Sequence, residues 1–193
     1  MTKKTKKIIL SLTGLAVVFL LFMTWFYPYS VFGISKSYSY TPDTVVVEGY
    51  EEDLNAFKSS FEEDLAEMGT ADQVDLTTDR TQYVLPLFEQ DWLLSKEPVN
   101  FGMNDLDTIL IEVENARTTL LDLSVSEDYT NEQRLYLVDS IKSLLWLEEE
   151  IGEIKTGKAE SRKTLDIQFR NLHSSFLNNF MMFRIFYERS QNE

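Results

Sequence analysis

The apolar and polar residues of the chain form one long apolar run followed by several stretches of helical period. The apolar run is Ile8–Tyr27, IILSLTGLAVVFLLFMTWFY, twenty residues without a charge. A helix of this length spans roughly 30 Å, the thickness of the hydrocarbon core of a bilayer. The run therefore predicts a transmembrane signal-anchor helix at residues 8–27, preceded by a cytoplasmic basic tail at residues 1–7.

Charged and aromatic residues mark both ends of this predicted helix. Lysines stay on the cytoplasmic side of a membrane helix, and aromatic rings collect where the helix leaves hydrocarbon for headgroups. The expected localisation is thus the cell membrane, single-pass, with a cytoplasmic N-terminus and an extracytoplasmic C-terminal domain. The side chains expected at the two membrane interfaces are Lys3, Lys4, Lys6, Lys7, Trp25, Phe26 and Tyr27.

A cleaved signal peptide is the alternative interpretation of this segment. Signal peptides have a shorter apolar run, about 7–15 residues, and small residues at the cleavage site. Here the exit TWFYPYSVFG is bulky and aromatic, which favours an uncleaved anchor. The chain contains no cysteine, so acylation as a lipoprotein is excluded.

Residues 28–49 are predicted to be a juxtamembrane linker. The part GISKSYSYTPD, residues 33–43, is rich in Ser and Tyr and contains a proline, a composition typical of loops. TVVVEG, residues 44–49, has the β-branched residues of a short strand, although a lone strand needs a partner.

From residue 50 onwards the apolar period is helical, so residues 50–193 are predicted to be an exported acidic domain. Four amphipathic helices are expected. Gly69 is placed to end the first, and Asn104 to cap the second. Thr130 and Gln133 have the spacing of a capping box at the start of the third, which Gly157 would end. Their core stripes are Leu54, Phe57, Phe61, Leu65 and Met68; Leu106, Ile109, Val113, Ala116, Leu120 and Leu123; Leu137, Ile141, Leu144, Leu147, Ile151 and Ile154; and Leu165, Phe169, Leu172, Phe176, Phe180, Phe183 and Tyr187.

The region between the first two helices, residues 70–102, has the least regular pattern. TQYVLPLF fits either an edge strand or a short helix, because Pro86 forbids a central strand. A short helical turn is expected at Trp92. The links between the later helices are short, which makes successive helices antiparallel neighbours. The predicted fold class is therefore all-α: an N-terminal transmembrane helix followed by an antiparallel bundle of about four helices.

The last helix carries more apolar residues than one core stripe needs. The run from Phe176 to Tyr187 is too short for a second membrane span and is interrupted by Asn178 and Arg184. It is either a central helix contacted on several sides or a surface kept for a partner protein. The candidates for partner contact are Phe180, Met181, Met182, Ile185 and Phe186.

The charge balance restricts the partners. The 193-residue chain has 18 basic and 32 acidic residues, and the part after Gly33 has a net charge of −18. Phosphate contacts need cationic side chains, so nucleic-acid binding is not expected. The same charge disfavours anionic lipid headgroups and favours cationic partners.

Catalytic and metal chemistry find little support in the sequence. The single histidine, His173, lies beside a core stripe and is expected to be structural. NDLD at residues 104–107 and DQVD at residues 72–75 lack the twelve-residue loop of a calcium site. The acidic stretch at Glu148–Glu150 would suit paired-carboxylate chemistry but is expected to be a solvated face. No cofactor is predicted.

The sequence thus indicates a non-catalytic, membrane-anchored interaction or accessory protein of the cell envelope. Its expected partners are the lipid bilayer, through residues 8–27, and a second protein. Two alternatives are a ligand-sensing bundle, which needs a pocket lined by Phe and Met, and an envelope hydrolase, which needs two carboxylates in one cleft.

Overall fold

The computed structural model describes residues 3–69, 74–157 and 160–191. Within these residues the fold is almost entirely helical, which confirms the predicted all-α class, with one small two-stranded antiparallel sheet that was not predicted. In chain order the elements are α1 (Lys3–Phe26), β1 (Ser37–Tyr40), α2 (Thr44–Met68), α3 (Leu76–Val84), a 3-10 turn (Leu85–Phe88), α4 (Asp91–Leu94), β2 (Val99–Gly102), α5 (Met103–Ser126), α6 (Asn131–Thr156) and α7 (Arg162–Gln191).

α1 is the one helix in the described part of the chain that is long and apolar enough to span a membrane, and none of its residues is buried. The other long helices form the bundle. α6 lies between α5 and α7, while the short helix α3 contacts both α2 and α5 and the short helix α4 contacts α2.

An aromatic layer joins α2 to α7. The ring of Phe57 on α2 makes edge-on contacts with Phe180, Phe183 and Tyr187, at centroid distances of 5.2 to 6.0 Å. Phe88 of the 3-10 turn packs against two of the same rings. The predicted stripe of α7 is therefore core, and it is contacted by more than one neighbouring element.

The capping residues explain where the helices begin. The Thr130 side chain accepts a hydrogen bond from the Gln133 amide, and the Gln133 side chain accepts one from the Thr130 amide, which confirms the predicted capping box. α5 begins at Met103, one residue before the predicted cap Asn104, because the Asp105 carboxylate accepts from the Gly102 amide at 2.7 Å. α2 and α6 end at the predicted glycines Gly69 and Gly157.

The expectation of a strand at residues 44–49 is wrong, since α2 begins at Thr44. The Asp43 carboxylate accepts hydrogen bonds from the amides of Val45 and Val46, so it satisfies two donors of the first turn. Val47 then points into the core and is fully buried. A cap and one buried contact thus outweigh the β-propensity of the three valines.

Part of the segment 28–49, predicted as a linker, is packed against the domain. β1 pairs with β2, with Tyr38 opposite Phe101, and Tyr38 and Tyr40 are buried against Phe169 of α7. The Tyr29 hydroxyl donates a hydrogen bond to the Phe101 carbonyl at 3.0 Å in the core. The bundle therefore lies directly against the end of α1.

The bundle has two distinct ends. Arg162, at the start of α7, contacts Trp25 in the last turn of α1, and we call this the anchor end after the role predicted for α1. At the far end the Tyr129 ring packs against Phe186, and its hydroxyl is hydrogen-bonded to that of Thr77 at 2.8 Å. α7, with 30 residues, runs from the anchor end to the far end.

Candidate functional site

The structure separates the five predicted contact residues of α7. Phe180 and Phe186 are fully buried, and both belong to the aromatic core rather than to the surface. Met181 is exposed over 54% of its surface, and Met182 and Ile185 are half-buried. The run is therefore core on one side and surface on the other, and only part of the predicted contact set is available to a partner.

Met182 lines a groove between α6 and α7, which we call the α6–α7 groove. It has a volume of about 430 Å³ and a polar floor, and its exposed rim combines Trp146 with Asn178 and with the ion pair of Asp139 and Lys142. Its principal lining residues are Ser143, Trp146, Glu150, Ser175, Asn179 and Met182.

The floor is held by hydrogen bonds between the two helices. Asn179, which is buried, donates to the Ser175 carbonyl at 2.8 Å and accepts from the Ser143 hydroxyl at 2.6 Å. The Ser175 hydroxyl donates to Oε1 of Glu150 at 3.0 Å. These bonds fix the positions of the floor groups before any ligand arrives.

Glu150 is the least satisfied group in the groove. Its second oxygen, Oε2, is buried and has no hydrogen-bond partner among the described residues. Burial raises the pKa of Glu150 above its ordinary value, because the charged carboxylate has lost water without gaining a cation. A ligand that brought a positive charge or a hydrogen-bond donor to this oxygen would recover the lost solvation.

The rim of the groove is marked by Trp146, whose side chain is 63% exposed. Tryptophan is usually well buried in a folded domain, so an exposed indole beside a groove is informative. Further along the outer face of α6, three more apolar side chains are exposed: Leu135, Val138 and Leu145. The indole offers a flat π-face to an aliphatic or cationic side chain.

The acidic stretch at Glu148–Glu150 does not form a carboxylate pair. Glu148 faces α5, where it forms an ion pair with Arg117, whereas Glu150 faces α7 and is bonded to Ser175. The two carboxylates therefore lie on opposite flanks of α6. A hydrolase with these two residues in one cleft has no geometric basis.

His173 is a core residue. It is buried between the rings of Trp92 and Tyr40, and its Nε2 lies 3.3 Å from the Leu93 carbonyl. Because a carbonyl only accepts, Nε2 carries the proton in this hydrogen bond. Burial lowers the pKa of His173, and the neutral ring is the favoured form.

The two acidic motifs considered as loose calcium sites act in helix capping. The Asp105 carboxylate of NDLD accepts a hydrogen bond from the Gly102 amide at the start of α5. Of DQVD, Asp72 and Gln73 lie outside the described residues, and Asp75 caps α3 by accepting from the amides of Thr77 and Thr78. Within the described chain, no group of three or more His, Asp or Glu side chains is arranged to hold a metal ion.

A second cavity lies at the anchor end, and we call it the anchor cleft. Its volume is about 520 Å³, and it is lined by residues of the last turn of α1 and the first turn of α7, which touch through Arg162 and Trp25. All three residues predicted at the outer membrane interface line it. The lining residues used below are Trp25, Phe26, Tyr27, Tyr38, Arg162 and Lys163.

Comparison of the chain with protein-family models, with curated proteins and with solved structures gave no significant match. Its function is therefore inferred from the geometry and chemistry of the molecule.

Proposed function

We propose that this protein is a membrane-anchored, non-catalytic interaction protein of the cell envelope that binds a basic segment of a partner protein in the α6–α7 groove. α1 serves as the anchor, with the lysines cytoplasmic and the bundle outside. The single observation that carries the proposal is the buried, unpaired Oε2 of Glu150 in a groove whose rim is an exposed tryptophan.

The chemistry of the groove favours a lysine or arginine side chain as the inserted group. Its aliphatic part would lie on the indole of Trp146, and its cationic end would reach Glu150. Because Oε2 is covered in the structure, binding requires the Glu150 carboxylate to turn about χ3 and to exchange its hydrogen bond from Ser175 for a bond from the incoming cation. The Asn179 amide, held in place by its own hydrogen bonds, would orient the inserted side chain.

The charge of the exported part supports the same class of partner. With a net charge of −18, the domain attracts cationic surfaces and accelerates their association. The groove residue Ser175 lies thirteen positions along α7 from Arg162, which corresponds to roughly 20 Å of helix. The partner must therefore be a protein with an exposed segment well clear of the membrane.

A ligand-sensing pocket lined by Phe and Met has weaker support. Phe176, Phe180 and Phe183 pack in the core, and of the Phe and Met residues only Met182 lines the groove described above. The groove is polar at its base, which suits a charged side chain better than an apolar small molecule.

Site-specific photo-crosslinking in the native host tests the proposal. A photoreactive residue at Asn178, on the groove wall, is expected to give a discrete adduct, and mass spectrometry of the adduct should map a partner segment containing Lys or Arg. Trp146→Ala and Glu150→Gln should each weaken this adduct. Ile111→Ala, which removes an exposed apolar side chain from α5, is the matched control and should leave it unchanged.

Two results would overturn the proposal. One is an adduct that maps to an acidic or uncharged segment. The other is an adduct that persists at full strength in Trp146→Ala, since the rim tryptophan would then not contribute to binding.

A further inference from the structure

After α1 the chain does not continue straight into the bundle; residues 28–35 first fold back along α1. The ring of Phe32 packs edge-on against Phe19 of α1, with centroids 5.6 Å apart. The Ile34 amide donates to the Thr24 hydroxyl at 3.0 Å. Phe19 lies seven residues before the end of α1, roughly 10 Å deeper along the helix axis. Residues 28–35, which we call the hook, therefore reach back to the level of the membrane helix.

The hook has the surface of a segment that lies in lipid. Its side chains Val31, Phe32 and Ile34 are 68%, 51% and 70% exposed, respectively. Part of its backbone bonds internally: the Ser30 amide donates to the Tyr27 carbonyl and the Gly33 amide to the Ser30 carbonyl, both at 3.0 Å. A segment with only part of its backbone bonded suits the interfacial region, where water and headgroups reach the remaining polar groups, rather than the hydrocarbon core.

Gly33 is required for the hook to close. A Cβ at this position would lie 2.9 Å from the Pro28 carbonyl oxygen, a backbone atom that has no freedom to move away. The tight turn therefore depends on glycine at this position.

Cations without carboxylate partners gather next to the hook. Among the described residues that follow α1, every lysine and arginine forms an ion pair except Lys36, Arg162 and Lys163. Lys36 joins the hook to β1, and the other two begin α7 beside the end of α1. The base of the acidic domain therefore holds three cations that have no carboxylate partner among the described residues, a feature that its net charge does not show.

The anchor cleft concentrates this positive charge. Arg162 donates from Nε to the Trp25 carbonyl at 3.0 Å, and its guanidinium lies 4.9 Å from the Trp25 ring centre and 5.7 Å from that of Tyr38. One carboxylate, Asp166, also lines the cleft. Its carboxylate forms an ion pair with Arg170 at 2.7 Å and accepts a hydrogen bond from the Tyr38 hydroxyl at 3.3 Å, so it does not cancel the charge of Arg162.

We propose that the base of the domain rests on the membrane leaflet, with the hook immersed and the anchor cleft holding the phosphate of an anionic phospholipid between Arg162 and Lys163. Trp25, Phe26 and Tyr27 place the cleft at headgroup depth, because aromatic belts lie at that level. Arginine suits this task through its fork of donors, and lysine through its point charge. In this proposal the base of the domain binds anionic lipids, whereas the net charge of the whole domain predicts that the domain avoids them.

Lipid retention by the full-length protein tests this proposal. The protein is reconstituted in nanodiscs containing equal amounts of phosphatidylcholine and phosphatidylglycerol, extracted into mild detergent, and examined by native mass spectrometry. The wild type should retain phosphatidylglycerol in preference to phosphatidylcholine. Each cation near an anionic surface contributes about fivefold in affinity, so Arg162→Gln with Lys163→Gln should lower the preference by about 25-fold.

Two further variants separate lipid binding from other effects. Lys58→Gln with Lys96→Gln removes the same charge from the exported surface and should retain phosphatidylglycerol like the wild type. Lys163→Gln alone leaves the Arg162–Trp25 contact intact and should lose about fivefold, so the test survives if the double variant is disturbed in fold.

Three results would overturn the proposal. The wild type could retain both lipids equally, or the control pair could lose as much phosphatidylglycerol as the cleft pair, which would indicate a net-charge effect. Displacement of the lipid by excess inorganic phosphate would assign the cleft to a free anion instead.

Discussion

The Nε of Arg162 donates a hydrogen bond to the backbone carbonyl of Trp25, linking the first turn of α7 to the last turn of α1 across 137 positions of sequence. The acceptor is one of the last carbonyls of α1, which have no partner within the helix. Together with the hydrogen bond of the buried Tyr29 hydroxyl, this contact sets the direction of the bundle relative to α1. α1 and the bundle are thus joined by contacts between their side chains and backbone as well as by the chain itself.

Breaking these two contacts should release the bundle. The variant Arg162→Ala with Tyr29→Phe removes both hydrogen bonds and leaves the helices unchanged. Because the chain has no cysteine, spin labels at cysteines introduced at Val18 and Ser174 report the distance between α1 and α7 without background. We expect a narrow distance distribution for the parent and a broad one for the variant in nanodiscs.

Lys142→Ala is the control, since this lysine lies on α6 away from the anchor and should leave the distribution narrow. A distribution that stays narrow in the Arg162 and Tyr29 variant would show that the hook and the sheet alone hold the bundle in place.

The neighbouring residues Phe180 and Met181 should differ sharply in their contribution to stability. Phe180→Ala leaves a cavity among Tyr50, Phe57 and Phe88 and should cost about 3–5 kcal/mol of unfolding free energy. Met181→Ala changes an exposed side chain and should cost at most about 0.5 kcal/mol. Urea unfolding of the full chain in nanodiscs, followed by circular dichroism, measures both.

Phe186→Ala serves as the second core variant, because its ring packs against Tyr129 and Phe183. Comparable losses for Met181→Ala and Phe180→Ala would contradict the separation of α7 into a core side and a surface side.

The core side and the surface side of α7 show how much the spacing of apolar residues along a sequence can predict. Spacings of three and four predicted the core stripe correctly, since they require only that one side of α7 be buried. Phe186 was assigned to a partner because it falls outside that stripe. Its ring packs against Tyr129, in the link between α5 and α6, and a contact with so distant a segment is a tertiary property that the sequence of α7 does not encode.

Pairings between distant segments were likewise missed. β1 is four residues long and acquires its partner from β2, with Tyr38 opposite Phe101, so neither strand has a local signal of its own. The groove at Glu150 was hidden for a similar reason. A glutamate in LEEEIGEI has the pattern of a solvated face, and only the approach of Ser175 from α7 buries it. Caps such as Thr130 were predicted because their partners lie within one turn.

Acidification should destabilise the bundle through His173. The pKa of this histidine is lowered in the folded chain, so the unfolded chain binds the proton more readily. The stability that the neutral ring contributes is fully present above about pH 6.5, the ordinary pKa of histidine, and is lost as the pH falls below that value. The urea midpoint should therefore decrease between neutral and mildly acidic pH.

His173→Gln should flatten that decrease, because the replacement keeps a hydrogen-bond donor for the Leu93 carbonyl but does not titrate. The control Ser174→Gln alters the adjacent, exposed position and should leave the pH profile unchanged. An equally steep profile in His173→Gln would assign the acid sensitivity to the carboxylates instead.

Glu150→Gln and Glu148→Gln should shift stability in opposite directions at neutral pH. Burial raises the pKa of Glu150, so the folded chain binds its proton more tightly and stability falls as the pH rises through that raised value. Glutamine removes this cost, and Glu150→Gln should therefore raise the urea midpoint at neutral pH. Its advantage should vanish below about pH 4, where the ordinary glutamate is protonated in both states.

Glu148→Gln should instead lower the free energy of unfolding by about 1 kcal/mol at neutral pH, and with it the urea midpoint, since it breaks the partly exposed ion pair with Arg117. A binding groove that retains a destabilising charge is expected when that charge serves a ligand, because functional sites often reduce stability. If Glu150→Gln were instead destabilising at neutral pH, the carboxylate would be a structural group of the α6–α7 contact, and the cationic partner would lose its principal support.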